Sequence, residues 1–170
     1  EDAPVPMPGP DEVQVQIRAT ALNRADILQL MGGYPDPRGA GFLEIPGLEY
    51  SGIVSAVGER VKMWKAGDRV MAIESGGAYA EYICTHERQL LAVPSSISLA
   101  DAAAIPEVFL TAWDALVLQG GLTSGRWALV HAGASGVGTA AIQIAKAIGA
   151  RIAVTCSAGK AQACRDLGAD

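Results

Sequence analysis

Leu129-Val130-His131-Ala132-Gly133-Ala134-Ser135-Gly136-Val137-Gly138-Thr139-Ala140-Ala141-Ile142 is the stretch whose reading decides the fold. The apolar run Arg126 to His131 predicts a strand, and the Ala/Ile-rich run Thr139 to Ile148, closed by Gly149, predicts a helix. Between them the glycines allow a sharp turn and a close approach of the backbone to a pyrophosphate. Such a group would sit against the N–H groups and positive dipole of the helix start. In the G-x-G-x-x-G register Ser135 stands where the second glycine is usual. A shifted frame, Gly136-Val137-Gly138, reads G-x-G-x-x-A. A second strand, Arg151 to Thr155, completes a βαβ unit of about 30 residues. This context makes Gly133, Ser135, Gly136, Val137 and Gly138 candidate cofactor-binding residues. The alternative is that the glycines serve close helix–strand packing alone.

The residues that follow the second strand bear on which dinucleotide fits. An acidic side chain about 20 residues past the glycines would accept hydrogen bonds from the 2′-hydroxyl of NAD. Here the sequence is Thr155-Cys156-Ser157-Ala158-Gly159-Lys160, with no carboxylate from Arg151 to Lys160. A hydroxyl and an ammonium suit a 2′-phosphate, so NADPH is expected over NADH, with Ser157 and Lys160 as its partners. In the bland reading Ser157 caps the helix expected over Lys160 to Leu167 and Lys160 is solvated.

Upstream the pattern differs. Val13 to Arg18 alternates apolar and polar residues with period two, and short strands are expected over Ser51 to Val57, Arg69 to Ile73, Ala78 to Cys84 and Leu90 to Val93. Gly, Pro and Asp punctuate them, as in Lys65-Ala66-Gly67-Asp68. After Pro94, Ser98 can cap a helix from Leu99. Pro106 is expected to interrupt it before helical spacing resumes over Thr111 to Gln119. The expected class is α/β, with a β-rich domain over residues 1–105 and the N-terminal part of a dinucleotide-binding domain over 106–170. One βαβ unit leaves a parallel sheet with open edges where about six strands are usual. The chain is therefore expected to be a fragment, missing a first strand and most of its cofactor domain, and poorly stable and inactive alone.

With 50% apolar and 18% charged residues, composition excludes a disordered chain. Lys146 and Arg151 break the most apolar region, no leader pattern opens the chain, and a soluble cytoplasmic protein is expected. The net charge of −5 and the absence of a basic patch argue against nucleic acid as a partner. Cys84, Cys156 and Cys164 are odd in number and lack CxxC spacing, which argues against a disulfide framework. Cys84 and His86 would share one strand face, but without a second pair they make no zinc site, and no metal is expected.

Several further stretches, taken together, carry a resemblance. They are Ala21-Leu22-Asn23-Arg24-Ala25-Asp26, Pro46-Gly47-Leu48-Glu49-Tyr50-Ser51-Gly52, Lys65 to Val70, Gly77-Ala78-Tyr79-Ala80-Glu81-Tyr82, Ala104-Ile105-Pro106 with Thr111-Ala112, and Val130 to Ala141. Over nearly its whole length the chain resembles the zinc-free quinone oxidoreductase branch of the medium-chain dehydrogenase/reductase superfamily. The resemblance implies a GroES-like catalytic domain followed by a Rossmann domain. It also implies an active site in the cleft between them and a homodimer or homotetramer. Zinc-dependent relatives carry Cys where Asn23 stands, His where Leu48 stands, and a four-Cys lobe that this sequence lacks.

Without a Lewis acid the protein cannot polarise an alcohol as those relatives do, while reduction of an electrophilic conjugated acceptor remains feasible. The resemblance implies hydride transfer from NADPH to a quinone or an α,β-unsaturated carbonyl. The resemblance further implies that Asn23 and Tyr34 line the pocket, where each could donate to the growing oxyanion, and that Thr111 positions the cofactor. From the residues alone Asn23 and Tyr34 could equally be turn residues. A tyrosine common in related quinone reductases is replaced in the neighbourhood of Ile27 and Leu28, which leaves the acceptor open. The alternatives are an enoyl reductase module of polyketide synthesis and a non-catalytic NADPH-binding protein.

Overall fold

A computed structural model describes residues 3–33 and 45–170. The chain divides into two compact units, Glu1–Pro106 and Glu107–Asp170.

The first unit is built on a five-stranded antiparallel sheet. Its strands are β1 (Glu12–Thr20), β2 (Glu49–Val57), β3 (Arg69–Ile73), β4 (Tyr82–His86) and β5 (Leu91–Ala92), in the order β4-β1-β2-β3-β5. Alternation in β1 puts Val13 and Val15 on the core side, where they meet Tyr50, Val54, Val70 and Ala72 with essentially no exposure. The register slips between Gln14 and Val15 opposite Val54 and Ala56, and Ser55 at the slip turns its hydroxyl onto Gln14. One helix, α1 (Arg24–Leu30), follows β1 directly.

The strand expected over Ala78 to Cys84 begins later, at Tyr82, because Ala78 and Tyr79 give their N–H groups to Gly47 and Pro46 in a loop-to-loop pairing. A loop between β2 and β3 is held by one carboxylate. Glu87 accepts the N–H groups of Lys62 (2.8 Å) and Met63 (2.9 Å), while its carbonyl accepts Trp64 Nε1–H (2.7 Å).

Ser98 caps α2 (Leu99–Ala102), its Oγ accepting the N–H of Asp101 at 3.0 Å. Pro106 does not simply interrupt the helical segment. It starts α3 (Pro106–Trp113), which continues as a π-helical stretch over Asp114–Gln119. Proline lacks only an N–H that a first helical residue could not use, so it suits that position.

The second unit contains β6 (Trp127–Val130), α4 (Gly136–Ala147), β7 (Arg151–Val154) and α5 (Ala161–Asp166), with β6 and β7 paired in parallel. This is the βαβ unit the spacing predicts. The helix α4 starts three residues before Thr139, because the glycines that make the turn also form its first turn. Ala140, Ala141, Ile142, Ile144 and Ala145 of α4 pack on Ile152 of β7 and on Cys164 of α5. On β6, Ala128 and Val130 join this core while Trp127 and Leu129 are exposed, and Arg151 lies 5.5 Å over the Trp127 ring.

The Glu87 contacts lead to a pH prediction. The two backbone N–H bonds, from Lys62 and then Met63, hold its carboxyl below the ordinary glutamate value. A lowered folded pKa means that the stabilisation is present above the unfolded value and is lost as pH falls through the folded one. Urea midpoints should therefore fall on acidification from pH 7 to about pH 3. In Glu87→Gln the pH 7 midpoint should be lower and the acid-dependent loss smaller. An unchanged acid slope in the variant would contradict the assignment.

Candidate functional site

Two candidate centres emerge, one in each unit. In the first unit β1 ends at Thr20 and the chain turns into α1 through Asn23, which is the residue immediately before the helix. The Asp26 carboxylate reaches back to accept the Asn23 N–H at 2.6 Å, satisfying one of the donors that a helix start leaves open. Asn23 is thereby fixed at the backbone. Its side chain is fixed as well: Nδ2 donates to Glu49 Oε1 at 2.8 Å. Glu49 is 1% exposed at the start of β2, and its carbonyl accepts the Thr20 hydroxyl at 2.7 Å. An amide nitrogen has two hydrogens, so one remains beyond the Glu49 bond.

Asp26 is also buried, and its Oδ2 accepts the Tyr79 hydroxyl at 2.7 Å, while Oδ1 is buried without a partner. The Tyr79 ring reaches this carboxylate because Gly47, at φ +103, lets it lie against the backbone. A Cβ there would stand 2.6 Å from Tyr79 Cδ1. Burial, and then the bond to Asp26, push the Tyr79 phenol up to about 12, so it remains a neutral donor at any ordinary pH. Asn23, Asp26 and Tyr79 line a recess of about 450 Å³ together with Arg24 and the apolar side chains of Leu22, Ile27 and Leu30. Tyr34 lies outside the described residues. Of this network the sequence reading singled out Asn23 alone. Gly47, before Leu48-Glu49, and Tyr79, in Gly77-Ala78-Tyr79, lie in separate stretches of the sequence, and nothing in their local spacing shows that the two loops meet.

No group of three or more His, Cys, Asp or Glu side chains suited to a metal occurs among the described residues. The positions of Asn23 and Leu48 offer an amide and a buried aliphatic side chain, neither a good metal ligand. Cys84 and His86 serve separate local bonds. The Cys84 thiol donates to the Pro6 carbonyl (3.5 Å), and His86 Nδ1 accepts the Arg88 N–H (3.2 Å).

In the second unit the glycine-rich turn leaves β6 through Ala132, a non-glycine residue at φ +56, and enters α4 at Gly136. Ser135 is the N-cap, its Oγ accepting the Gly138 N–H at 3.1 Å. Gly136 and Val137 are the first two helical residues, whose N–H groups no carbonyl of the helix can reach. They point the positive end of α4 outward, as an anion requires. Close packing is also real. A Cβ on Gly133 would stand 2.4 Å from Val154 Cβ, and one on Gly138 would stand 2.5 Å from the Ala132 carbonyl oxygen. These two glycines are therefore explained by packing, and the anion site rests on the free N–H groups rather than on the glycines as such.

Thr111 is exposed on α3, three residues beyond Val108, which packs where a side chain on Gly136 would go. Past β7, Ser157 precedes a 3₁₀ turn over Ala158–Lys160, and its side chain makes no cap bond there. The bland reading of Ser157 as a helix cap is thus not what holds it. Ser157 and Lys160 are both exposed and lie on one short loop. At the ends of the parallel strands His131 Nδ1 and Thr155 Oγ1 are 3.0 Å apart.

The model of the alcohol dehydrogenase GroES-like domain matches residues 9–95. The chain is 42% identical over 168 residues to the pikromycin polyketide synthase component PikAII of Streptomyces venezuelae, which covers 99% of this chain and 4% of that protein. Among solved structures, the CurK enoyl reductase superposes with a TM-score of 0.90 at 32% identity, over 100% of this chain and 53% of that one. The Escherichia coli quinone oxidoreductase complexed with NADPH gives a TM-score of 0.86 at 36% identity, over 99% and 51%. The chain thus spans about half the length of these solved structures. Among the described residues no helix is long and apolar enough to cross a membrane.

The Tyr79 to Asp26 bond is open to test. Tyr79→Phe removes one donor from a buried carboxylate and should cost about 1–3 kcal/mol at pH 7. A phenol whose folded pKa is raised stabilises fully below its unfolded value near 10 and loses that contribution as pH rises through about 12. The difference between wild type and variant in urea midpoints should shrink across that alkaline range. A constant difference from pH 8 to about pH 12 would show that the hydroxyl contributes nothing through Asp26.

Proposed function

The chain belongs to the alcohol dehydrogenase GroES-like domain family, within the medium-chain dehydrogenase/reductase superfamily, and on that premise we propose that it is part of an oxidoreductase that reduces a conjugated carbonyl acceptor with NADPH and without zinc. One observation carries the reading: a capped helix start with two free N–H groups stands one strand away from a loop that offers Ser157 and Lys160 and no carboxylate. The N–H groups of Gly136 and Val137 would hold the pyrophosphate, with Ser135 supporting the turn as cap. Ser157 and Lys160 would take the 2′-phosphate, and Thr111 would support the nicotinamide end. When bound, NADPH supplies the hydride.

The chain's own contribution to the chemistry is the donor at Asn23. Negative charge grows on the acceptor's carbonyl oxygen as hydride arrives at the conjugated carbon, and a preorganised N–H stabilises it. Glu49 takes one amide hydrogen of Asn23 and so sets which end of the amide faces the recess. The other hydrogen is the donor offered to the acceptor, with Tyr34 as a second donor. Leu22, Ile27 and Leu30 give the recess apolar walls that suit a conjugated substrate, and Arg24 adds one cationic side chain to its lining.

Quinones and α,β-unsaturated carbonyls share this electronic demand. The likeness to an enoyl reductase over the whole chain favours the unsaturated carbonyl, including an enoyl thioester carried on a polyketide synthase. A homodimer or homotetramer remains the proposed assembly, and the cytoplasm the proposed compartment.

Steady-state oxidation of NADPH by the full-length protein, with quinones, simple enones and enoyl thioesters in parallel, tests the reading. Turnover is expected with at least one class, highest with the unsaturated carbonyls. Binding of NADPH with no turnover of any class would overturn it in favour of a binding protein.

Cofactor choice has its own test. A charge-assisted bond from Lys160 to a 2′-phosphate is worth roughly 1.5–3 kcal/mol, so Lys160→Ala should weaken NADPH about 10- to 150-fold and leave NADH nearly unchanged. Equal losses for the two cofactors, or a wild type that prefers NADH, would overturn the NADPH assignment.

A further inference from the structure

One polar pair in the second unit takes no part in the function proposed above. His131 follows β6 directly, two residues before Gly133, and Thr155 follows β7 directly, two residues before Ser157. The backbone of Thr155 is engaged on both sides: its N–H donates to the Val130 carbonyl (3.1 Å) and its carbonyl accepts the Gly133 N–H (2.9 Å). Thr155 therefore joins the glycine-rich turn to the loop that carries Ser157 and Lys160. Both Thr155 and His131 are exposed, and Thr155 Oγ1 lies 3.0 Å from His131 Nδ1.

The adenosine ribose of NADPH carries the pyrophosphate on its 5′ oxygen and the extra phosphate on its 2′ oxygen. With the first against the start of α4 and the second against the loop of Ser157 and Lys160, the ribose lies over the strand ends that bear His131 and Thr155. We propose that the Thr155 hydroxyl is a third contact to the 2′-phosphate and that His131 is the positioning residue that turns this hydroxyl to donate. The inference rests on the NADPH reading and deepens it.

A hydroxyl has one hydrogen and two lone pairs, and each imidazole nitrogen either donates or accepts. With a hydrogen on Nδ1, His131 donates to Thr155 Oγ1, and the Thr155 hydrogen is left to point at an anionic oxygen. With the imidazole hydrogen on Nε2 alone, Thr155 donates to His131 and shows only lone pairs to a ligand. Lone pairs suit the ribose 2′-hydroxyl of NADH and oppose a phosphate. The pair is thus a selector, and only its first arrangement serves NADPH. A bound phosphate favours that arrangement, because a hydrogen bond to a charged acceptor is stronger than one to a neutral acceptor. A phosphate group offers three strong acceptor oxygens. Thr155, Ser157, whose side chain makes no cap bond, and the exposed Lys160 bring three donors within six residues.

Affinities of the full-length protein for NADPH and NADH supply the test, in wild type, Thr155→Val, Thr155→Ser and His131→Ala, each checked for a cooperative thermal transition. Thr155→Val loses a hydrogen bond to a charged group and should weaken NADPH about 10-fold or more, while NADH changes by less than about 3-fold. Thr155→Ser keeps the hydroxyl and should hold NADPH within about 3-fold of wild type. His131→Ala leaves the hydroxyl unheld and should weaken NADPH about 2- to 10-fold. Magnetic resonance of isotope-labelled histidine should show a hydrogen on His131 Nδ1 in the NADPH complex, the signal being identified by its absence in His131→Ala. Equal losses of the two cofactors in Thr155→Val would mean that the pair only ties β6 to β7, and would overturn the inference. An unchanged NADPH affinity in that variant, or a bound state with the His131 hydrogen on Nε2 alone, would overturn it as well. Selective loss of NADPH in Lys160→Ala but not in Thr155→Val counts against this inference alone, whereas a wild type that prefers NADH removes the NADPH reading itself.

Discussion

The close approach of α4 to the two parallel strands governs the second unit. At Gly133 and Gly138 the helix start, the turn and Val154 of β7 come nearer than any side chain would permit. That contact fixes where α4 begins and which way its first N–H groups point, and it places the Ser135 hydroxyl on the Gly138 N–H. The loop after β7 lies beside the turn because β7 is hydrogen-bonded to β6, with the Gly133 N–H on the Thr155 carbonyl at 2.9 Å. The anion-binding character of the helix start is a by-product of packing geometry: the glycines that allow contact also leave the first-turn N–H groups uncovered.

In the first unit the corresponding constraint is electrostatic. Two carboxylates, Asp26 and Glu49, are almost wholly buried, and an isolated carboxylate in such a place would be costly. Donors meet them: the Asn23 backbone and Tyr79 hydroxyl at Asp26, and the Asn23 amide at Glu49. Asn23 therefore bridges two buried acidic side chains through two different groups, one on its backbone and one on its side chain. A residue held at both ends is a rigid place from which to offer a hydrogen bond, because little reorganisation remains when charge develops nearby.

The two centres differ in how the chain builds them. The turn in the second unit comes from one continuous stretch, Ala132 to Thr139. The network in the first unit gathers Asn23 from the end of β1, Glu49 from β2, and Tyr79 from a loop that reaches across through Gly47. Tyr79 is held in place by the backbone pairing of Ala78 and Tyr79 with Gly47 and Pro46.

By itself the sequence determined what local spacing can encode. The βαβ unit, the alternating strand β1, the short strands that follow, and the Ser98 cap were legible because each depends on residues a few positions apart. Glycine at 133, 136 and 138 was legible as a sharp turn, but whether the glycines answer to packing or to a ligand was not, since that depends on Val154 and Val108 arriving from other elements. Pro106 reads locally as a break, and only the helix that runs on from it shows a first helical residue. Asn23 could be read as donor or turn residue, and its commitment to Glu49 needed the pairing of β1 with β2. The meeting of Tyr79 with Asp26 was decided by tertiary structure alone. The pair forms where a loop folds back against a separate element, and no periodicity in a chain records which loop will fold onto which neighbour.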